Sequence, residues 1–327
     1  MNNLKLNLSI PSLDQGLLHQ IRAGLPVSVF GMSFGERAYT VAASGRFFVW
    51  VATDYAMLSE TARELNQMLG GGVLTLTGRG DVLTFAEARD SSMTVTRAQT
   101  IASILRKQCK GVVVTVDALM QIMPTPRSWN AAIVDVSKGE SIAPSEIAKR
   151  LVCAGYKRAD VVTGSGQFSL RGDILDVYAT GAEQPYRIEF WGDFVESIKR
   201  FELENMLSVG EENTITVLPA TEGVFDSESS EAVLKAILRD VPSNLPPDEK
   251  ARAERIVSTL AASVEGGCAA HEAILPYAEH ALLDEYLPED TLMVYDETKA
   301  VFDNISGTYK EHLSRYKNLL SDRKSVV

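Results

Sequence analysis

The sequence has few cysteines, no long apolar run and no recognisable leader, and each shortage excludes a class of protein. Its three cysteines are odd in number and far apart, which argues against a disulfide framework or a cysteine-rich metal site. No stretch approaches the roughly 18–20 apolar residues of a membrane span, and the first residues lack the charged-then-apolar layout of a secretory signal. We therefore expect a cytoplasmic protein with reduced thiols and no membrane partner.

Positive charge is also scarce. The chain carries 32 Lys and Arg residues against 43 Asp and Glu residues, a formal net charge of −11. Because nucleic-acid-binding proteins usually neutralise phosphates with a basic surface, this balance argues against DNA as the main partner of the chain. The rest of the composition is that of an ordinary globular protein, and 327 residues suffice for about two domains.

Apolar strands alternate with helices in the first part of the chain. Each predicted strand is apolar on both faces, which is typical of a parallel sheet covered by helices on both sides. Asp54 is expected to cap the helix that follows the second strand. The predicted strands are 27–30, 47–53, 73–78, 111–116 and 131–136, and the predicted helices include 12–22, 55–69 and 96–108.

The pattern changes after residue 142. Short predicted strands follow, separated by residues typical of hairpin turns. One of these turns is predicted at the two residues Gly192-Asp193. The alternation of helices and strands then returns for the rest of the chain. The main elements expected here are helices 143–156, 229–240 and 247–264, an apolar strand at 291–296 and a long last helix.

These patterns predict two domains in one chain. Residues 1–141 and 211–327 are expected to form an α/β domain with a parallel sheet, similar to P-loop and helicase-like domains. Residues 142–210 are expected to form an α+β domain inserted into it.

A degenerate phosphate-binding loop is expected between the first strand and the helix after it. A P-loop needs Gly, four further residues and then Gly-Lys-Ser/Thr. Gly31 and the four residues ending at Gly35 are followed instead by Glu36, Arg37 and Ala38. Glu36 places a carboxylate where backbone N–H groups should meet phosphate, Arg37 replaces the lysine, and Ala38 lacks the hydroxyl that holds Mg²⁺. We therefore expect no nucleotide chemistry at this site.

An acidic pair, Asp296-Glu297, follows the strand at 291–296 and has two interpretations. It is placed as a Mg²⁺-holding pair would be, and a divergent ATPase or helicase could use Arg37 and Asp296 together. Alternatively, the two carboxylates cap the helix that starts near Thr298, where the helix dipole favours them. The broken P-loop favours the capping interpretation.

The inserted domain carries a strand with two distinct faces. Strand alternation places Arg187, Glu189 and Trp191 together, and Arg171 on a neighbouring strand could lie beside them. Arginine and tryptophan are enriched at protein–protein hot spots. Equally, the tryptophan could lie over its own hairpin and the arginines could pair with local acids. The residues assigned to the core are Tyr186, Ile188 and Phe190.

A basic patch offers a further interpretation. Lys149, Arg150, Lys157 and Arg158 lie close together in the sequence. If they bind DNA directly, the affinity should fall steeply with salt.

A long segment resembles a known family. The string GQFSLRGDILDVYATGAEQPYRIEFWGDFVESIKRFELENMLS (166–208) resembles a stretch shared by UvrB and the transcription-repair coupling factors. VVVTVDALMQIMP (112–124) and HALLDEYLPEDTLMVYDE (280–297) look like the same family. The resemblance is strongest over 143–223 and weaker over 1–100.

The broken P-loop resembles the coupling factors more than UvrB. UvrB keeps a working P-loop and a tyrosine-rich hairpin, whereas residues 83–99 are too short and too poor in aromatics for that hairpin. The resemblance implies an amino-terminal segment of a longer protein. The remainder of such a protein would bind RNA polymerase and DNA and would use ATP and Mg²⁺ as a translocase.

The resemblance also implies a partner for the inserted domain. In the family this domain binds UvrA through two arginines sixteen residues apart and an aromatic residue four positions later. Arg171, Arg187 and Trp191 match this spacing, with Trp where some members carry Phe, and Glu189 shares their face. The implied function is recruitment of UvrA, and hence of nucleotide excision repair, to stalled RNA polymerase. This segment would need no ATP or Mg²⁺, and a carboxy-terminal domain of the intact protein would cover the surface until recruitment.

Overall fold

The computed structural model describes residues 15–79, 91–225, 230–240 and 272–321, with scattered residues between 244 and 258. Two sheets dominate these residues, each with its own apolar core. The helices are α1 (Gln15–Arg22), α2 (Phe34–Ser44), α3 (Tyr55–Leu69), α4 (Ser91–Leu105), α5 (Val116–Met120), α6 (Pro126–Ala132), α7 (Pro144–Cys153), α8 (Ser230–Asp240) and α9 (Thr298–Ser321).

The strands fall into a parallel sheet, a larger mostly antiparallel sheet and two short two-stranded pairs. They are β1 (Phe48–Ala52), β2 (Val73–Leu76), β3 (Gly111–Thr115), β4 (Met123–Pro124), β5 (Val134–Ser137), β6 (Lys157–Arg158), β7 (Gln167–Arg171), β8 (Ile174–Tyr178), β9 (Tyr186–Trp191), β10 (Phe194–Phe201), β11 (Ser208–Glu212), β12 (Thr214–Val217), β13 (His280–Ala281) and β14 (Leu292–Tyr295).

The parallel sheet has the strand order β14-β1-β3-β2, and every pair in it is parallel. All five residues of β1 are buried. Phe48 and Trp50 pack into the core shared with α2 and α3, whereas Val49 and Val51 pack into the opposite core, which includes residues of α4 and α6. The predicted parallel sheet with helices on both sides is confirmed.

Local capping fixes where the helices around this sheet begin and end. The Asp54 side chain accepts a hydrogen bond from the backbone N–H of Met57 at the start of α3, as predicted. Gly70 ends the same helix with a φ of 67°, a left-handed conformation that favours glycine. These two caps therefore fix where α3 begins and ends between β1 and β2.

One strand prediction is wrong, and a second is confirmed only in part. Residues 27–30 form no strand, and Phe30 is 91% exposed. The strand predicted at 131–136 begins at Val134 and pairs antiparallel with β12, outside the parallel sheet. An apolar run alone does not specify which strand, if any, will be its hydrogen-bonded neighbour in a sheet. Residues 12–14 of the first predicted helix and most of 247–264 lie outside the described residues.

The second sheet has the order β11-β10-β9-β8-β7-β6, and α7 packs against its inner face. The turn between β9 and β10 consists of Gly192 and Asp193, as predicted. The same core includes Val134 and Val136 of β5 and Ile215 and Val217 of β12. The packed unit therefore extends on both sides of the range 142–210.

A buried ion pair connects the end of this unit to α4. Arg97 and Glu222 are both 1% exposed, and Arg97 Nη2 lies 2.9 Å from Glu222 Oε2. Arg97 also donates to the backbone carbonyl of Thr77, and Arg79 Nη1 lies 3.5 Å from Glu222. The chain that leaves the inserted unit is thus held by charged hydrogen bonds in the interior.

The cysteines only partly match the expectation of three reduced thiols. Cys109 is free, and burial raises the pKa of its thiol to about 11. Cys153, in contrast, is disulfide-bonded. Among the described residues, no helix is long and apolar enough to cross a membrane.

Candidate functional site

Two matching hairpin turns shape the edge of the second sheet. Gly172-Asp173 joins β7 to β8, and Gly192-Asp193 joins β9 to β10. Both glycines have a φ of 59°, which a side chain at that position would disfavour. Because each turn has only two residues, it fixes the register next to the turn within its own hairpin, that of β7 with β8 and that of β9 with β10.

Arg187 lies directly opposite Asp176 on the neighbouring strand. Its Nε and Nη2 atoms donate to the two carboxylate oxygens of Asp176, at 2.7 and 2.9 Å. Such a side-on fork is the strongest common form of ion pair between these groups. The guanidinium also lies 4.8 Å above the ring of Phe201. The hydrogen bond to Asp176 raises the pKa of Arg187, so this side chain is charged at any physiological pH.

Arg171 reaches the same carboxylate from the other side. Its Nη2 atom donates to Oδ2 of Asp176 at 2.9 Å. Asp176 is 1% exposed, whereas the side chains of Arg171 and Arg187 are 48% and 21% exposed. Two partly exposed guanidinium groups thus share one buried carboxylate, and the arrangement has an excess of one positive charge.

Glu189 lies beside this pair and is already neutralised. Its Oε2 atom accepts hydrogen bonds from Lys199 Nζ and from the Ser197 hydroxyl, both at 2.6 Å. The hydrogen bond from Lys199 is the main reason that the pKa of Glu189 is lowered. Glu189 therefore contributes an ion pair of no net charge to this face.

Trp191 ends β9 with its side chain in solvent. It is 77% exposed, and it lies opposite Phe194, which is 48% exposed, across the two-residue turn. Ile174, opposite Glu189 on β8, is 37% exposed. We call the outer face that carries Arg171, Arg187, Glu189 and Trp191 the docking face. Its apolar end lies next to its charged centre.

The structure brings all four predicted residues of the docking face together. The local-pairing interpretation is confirmed for the arginines, which pair with Asp176, but not for Trp191, which is 77% exposed. Sequence reasoning missed Asp176, Phe194 and Lys199. The alternation of β8 placed Asp176 on the outer face between Leu175 and Val177, but a single aspartate on that face looks like a solvated residue.

The degenerate nucleotide site has a different construction. Gly31 is in a left-handed turn with a φ of 76°, and α2 begins at Phe34, so Gly35 is already helical. Ser33 caps the helix. The Glu36 carboxylate accepts one hydrogen bond from the backbone N–H of Ser33 at 2.7 Å and another from the Ser33 hydroxyl at 2.8 Å. These hydrogen bonds lower the pKa of Glu36. A carboxylate of the chain itself therefore occupies the end of the helix that would attract a phosphate.

The remaining residues of this site are also engaged. Arg37 donates to the backbone carbonyl of Met32 and lies 3.4 Å from Asp296. Ala38 is fully buried against the sheet. Glu297 has a φ of 51° and precedes α9, where its backbone carbonyl accepts from Val301. Asp296 thus serves as a partner for Arg37; the ATPase interpretation placed both residues in one site but did not pair them with each other.

A cavity of about 270 Å³ lies elsewhere, where β1 and β3 end. Its lining includes Asp54, Asp117, Arg79, His312 and Arg315, and none of the degenerate nucleotide residues. Within the described residues, no group of three or more His, Cys, Asp or Glu side chains could hold a metal ion. The docking face is therefore the best-defined candidate site.

The comparisons with known proteins cover the part of the chain that carries the docking face. Residues 134–222 match the family of the UvrB interaction domain. The chain therefore contains a UvrB interaction domain, and the match includes β5 and β12 as well as the second sheet.

Two relatives are similar to this chain over longer stretches. The transcription-repair-coupling factor of Bacillus subtilis is 29% identical over 224 residues, which are 65% of this chain and 19% of that protein. The UvrABC system protein B of Chlorobaculum tepidum is 29% identical over 239 residues, 67% of this chain and 34% of that protein. The chain thus matches about a fifth of the first relative and a third of the second. The domain match and these relatives support a role in nucleotide excision repair.

Proposed function

We propose that this chain recruits UvrA through the docking face and so brings nucleotide excision repair to stalled RNA polymerase. The segment acts as a binding module and hydrolyses no ATP. In a longer protein, other domains would contact RNA polymerase and DNA, and a carboxy-terminal domain would cover the docking face until recruitment. The protein would work in the cytoplasm.

The arrangement of Arg171, Arg187 and Trp191 is the observation that carries this proposal. The two guanidinium groups converge on Asp176 and keep part of their surface in solvent. Trp191 supplies a large apolar surface within the same face. Arginine and tryptophan anchors of this kind commonly dominate the affinity of protein–protein interfaces, and guanidinium groups favour carboxylate partners.

The direct test is calorimetric titration of UvrA with the chain and with Arg187→Ala. Loss of one such anchor should weaken binding by about 2 kcal/mol or more. A matched control is Arg63→Ala, because Arg63 is an exposed arginine on α3 of the parallel-sheet unit. If Arg187→Ala and the control bind UvrA as tightly as the unmodified chain, the assigned contact is wrong.

The absence of ATP chemistry has its own test. Titration with Mg-ATP should give no heat of binding and no phosphate release. This expectation follows from the Glu36 carboxylate at the end of α2 and from the engagement of Arg37 by Asp296. Measurable binding or turnover would support the divergent ATPase instead.

Direct DNA binding is distinguished by its salt dependence. Lys149, Lys157 and Arg158 are exposed, so a DNA contact through them would weaken steeply as salt rises. We expect only weak binding of duplex DNA by this acidic chain. Tight, strongly salt-dependent binding would favour the DNA-binding interpretation.

A further inference from the structure

We propose that Asp176 is the positioning residue of the docking face, because it holds both arginines in the geometry in which they meet a carboxylate of the partner. This inference rests on the proposed function and deepens it. Asp176 itself is buried and makes no contact with the partner; it acts through Arg171 and Arg187.

Asp176 lies between the two arginines in the sheet. Arg171 comes from β7, Asp176 from β8 and Arg187 from β9. Arg187 spans both carboxylate oxygens, and Arg171 adds a third hydrogen bond to Oδ2. A long arginine side chain in solvent samples many rotamers, and fixing it during binding costs free energy. Asp176 fixes both side chains before the partner arrives.

Asp176 does not engage all the hydrogen-bond donors of the two arginines. Each guanidinium has five N–H donors, and Asp176 can face only some of them. Arg187 uses Nε and Nη2, and Arg171 uses Nη2. Within the described residues, no hydrogen bond is found for Nη1 of either arginine. These outward N–H groups, together with the unbalanced positive charge, fit a carboxylate that bridges the two guanidinium groups.

A competing possibility has the opposite sign. Asp176 could simply sequester the arginines, in which case removing its charge would release them and tighten the binding of an acidic partner. Asp176→Asn separates the two possibilities, because the amide has nearly the same shape but cannot accept from both guanidinium groups as a carboxylate does. Loss of affinity supports positioning, and a gain supports sequestration.

The experiment measures UvrA affinity for the unmodified chain, Asp176→Asn and Glu204→Gln. Glu204→Gln removes one negative charge from an exposed position of the same unit and controls for the change in net charge. We expect about a tenfold loss for Asp176→Asn, less than for removal of an arginine, and no loss for the control. Unchanged or tighter binding by a folded Asp176→Asn overturns the proposal.

A double-mutant cycle shows whether Asp176 acts through the arginines. In an Arg187→Ala background, Asp176→Asn should cost much less than in the unmodified chain, because one of the two side chains it positions is absent. An equal loss in both backgrounds would indicate a general effect on folding and would overturn the positioning role. If Asp176→Asn does not fold, Asp176→Glu replaces it in the same cycle; its carboxylate keeps the charge but is displaced by one methylene.

The outcomes separate this inference from the proposed function. No binding by the unmodified chain, or no effect of Arg187→Ala, rejects the UvrA contact itself. Binding that depends on Arg187 but is indifferent to Asp176 rejects only the positioning role.

Discussion

Two clusters of this protein both pair arginine with aspartate, but they differ in their balance of charges. At the degenerate nucleotide site, Arg37 lies 3.4 Å from Asp296, with Glu36 and Glu297 nearby in the sequence. On the docking face, Arg171 and Arg187 lie within 2.9 Å of Asp176. With these two neighbouring carboxylates, the first cluster has one positive formal charge and three negative charges. The side chains in direct contact in the second cluster have two positive charges and one negative charge.

We therefore expect the balance of charges, more than the presence of an arginine, to determine what each site can bind. A net negative cluster repels phosphate, and the backbone N–H and hydroxyl of Ser33, at the start of α2, already donate to Glu36. A net positive cluster with outward N–H groups attracts a carboxylate.

The buried pair of Arg97 and Glu222 is a third Arg–carboxylate cluster, and we expect it to contribute only to the stability of the fold. Glu222→Ala leaves Arg97 buried without its carboxylate partner, so we expect a loss of about 3–5 kcal/mol in the free energy of unfolding. Urea denaturation measures it, with the exposed Glu204→Ala as the control. A loss below about 1 kcal/mol would mean that this cluster, despite its burial, resembles a surface ion pair.

Trp191→Ala should separate binding from folding on the docking face. The side chain is 77% exposed, so its removal should change the free energy of unfolding by no more than about 0.5 kcal/mol. UvrA binding, measured by calorimetry, should weaken by about 2 kcal/mol. Phe302→Ala, an exposed aromatic on α9, is the control and should affect neither quantity strongly. Equal UvrA affinities for the two variants would remove Trp191 from the interface.

Ser33→Ala should show that the degenerate nucleotide site is now only a helix end. Loss of this cap should lower the free energy of unfolding by about 1 kcal/mol and leave UvrA binding unchanged. Ser103→Ala, which removes a hydroxyl near the end of α4, is the matched control in urea denaturation. An effect on UvrA affinity would contradict the separation of the two regions.

The two regions should also respond to acid with opposite signs. Burial raises the pKa of Asp296 above its ordinary value of 3.8, so the folded state holds this proton more tightly and stability falls as pH rises through that range. The pKa of Glu189 is lowered from 4.5, so its contribution is present above pH 4.5 and is lost as pH falls further.

Urea midpoints between pH 3 and 7 test this small effect. Asp296→Asn should remove a component of stability that declines with rising pH, and Glu189→Gln one that increases with it. Changes of the same sign in both variants would contradict the assigned causes, namely burial for Asp296 and the Lys199 hydrogen bond for Glu189.

Local patterns predicted much of this molecule. The burial of β1, the cap at Asp54, the turn at Gly192 and the alternation of β9 all depend on neighbouring residues in the sequence, and all are confirmed. The four predicted residues of the docking face follow from the same alternation and from the family resemblance.

What could not be predicted depends on contacts between distant segments. Asp176 is buried because long side chains from two other strands cover it, and β8 alone does not reveal them. Likewise, β5 pairs with β12 about eighty residues later, and no periodicity identifies such a partner. The pairing of Arg37 with Asp296 joins residues 259 positions apart.

The two Gly-Asp turns have a consequence for anyone who wishes to transplant the docking face. A hairpin of β9 and β10 alone would carry Arg187 and Trp191 but would leave behind both Arg171 and the carboxylate of Asp176. Lengthening either turn by one residue would shift the strand pairing by one residue and would move side chains to the opposite face of the sheet. The smallest transferable epitope is therefore the four-strand block from β7 to β10, with both glycines retained.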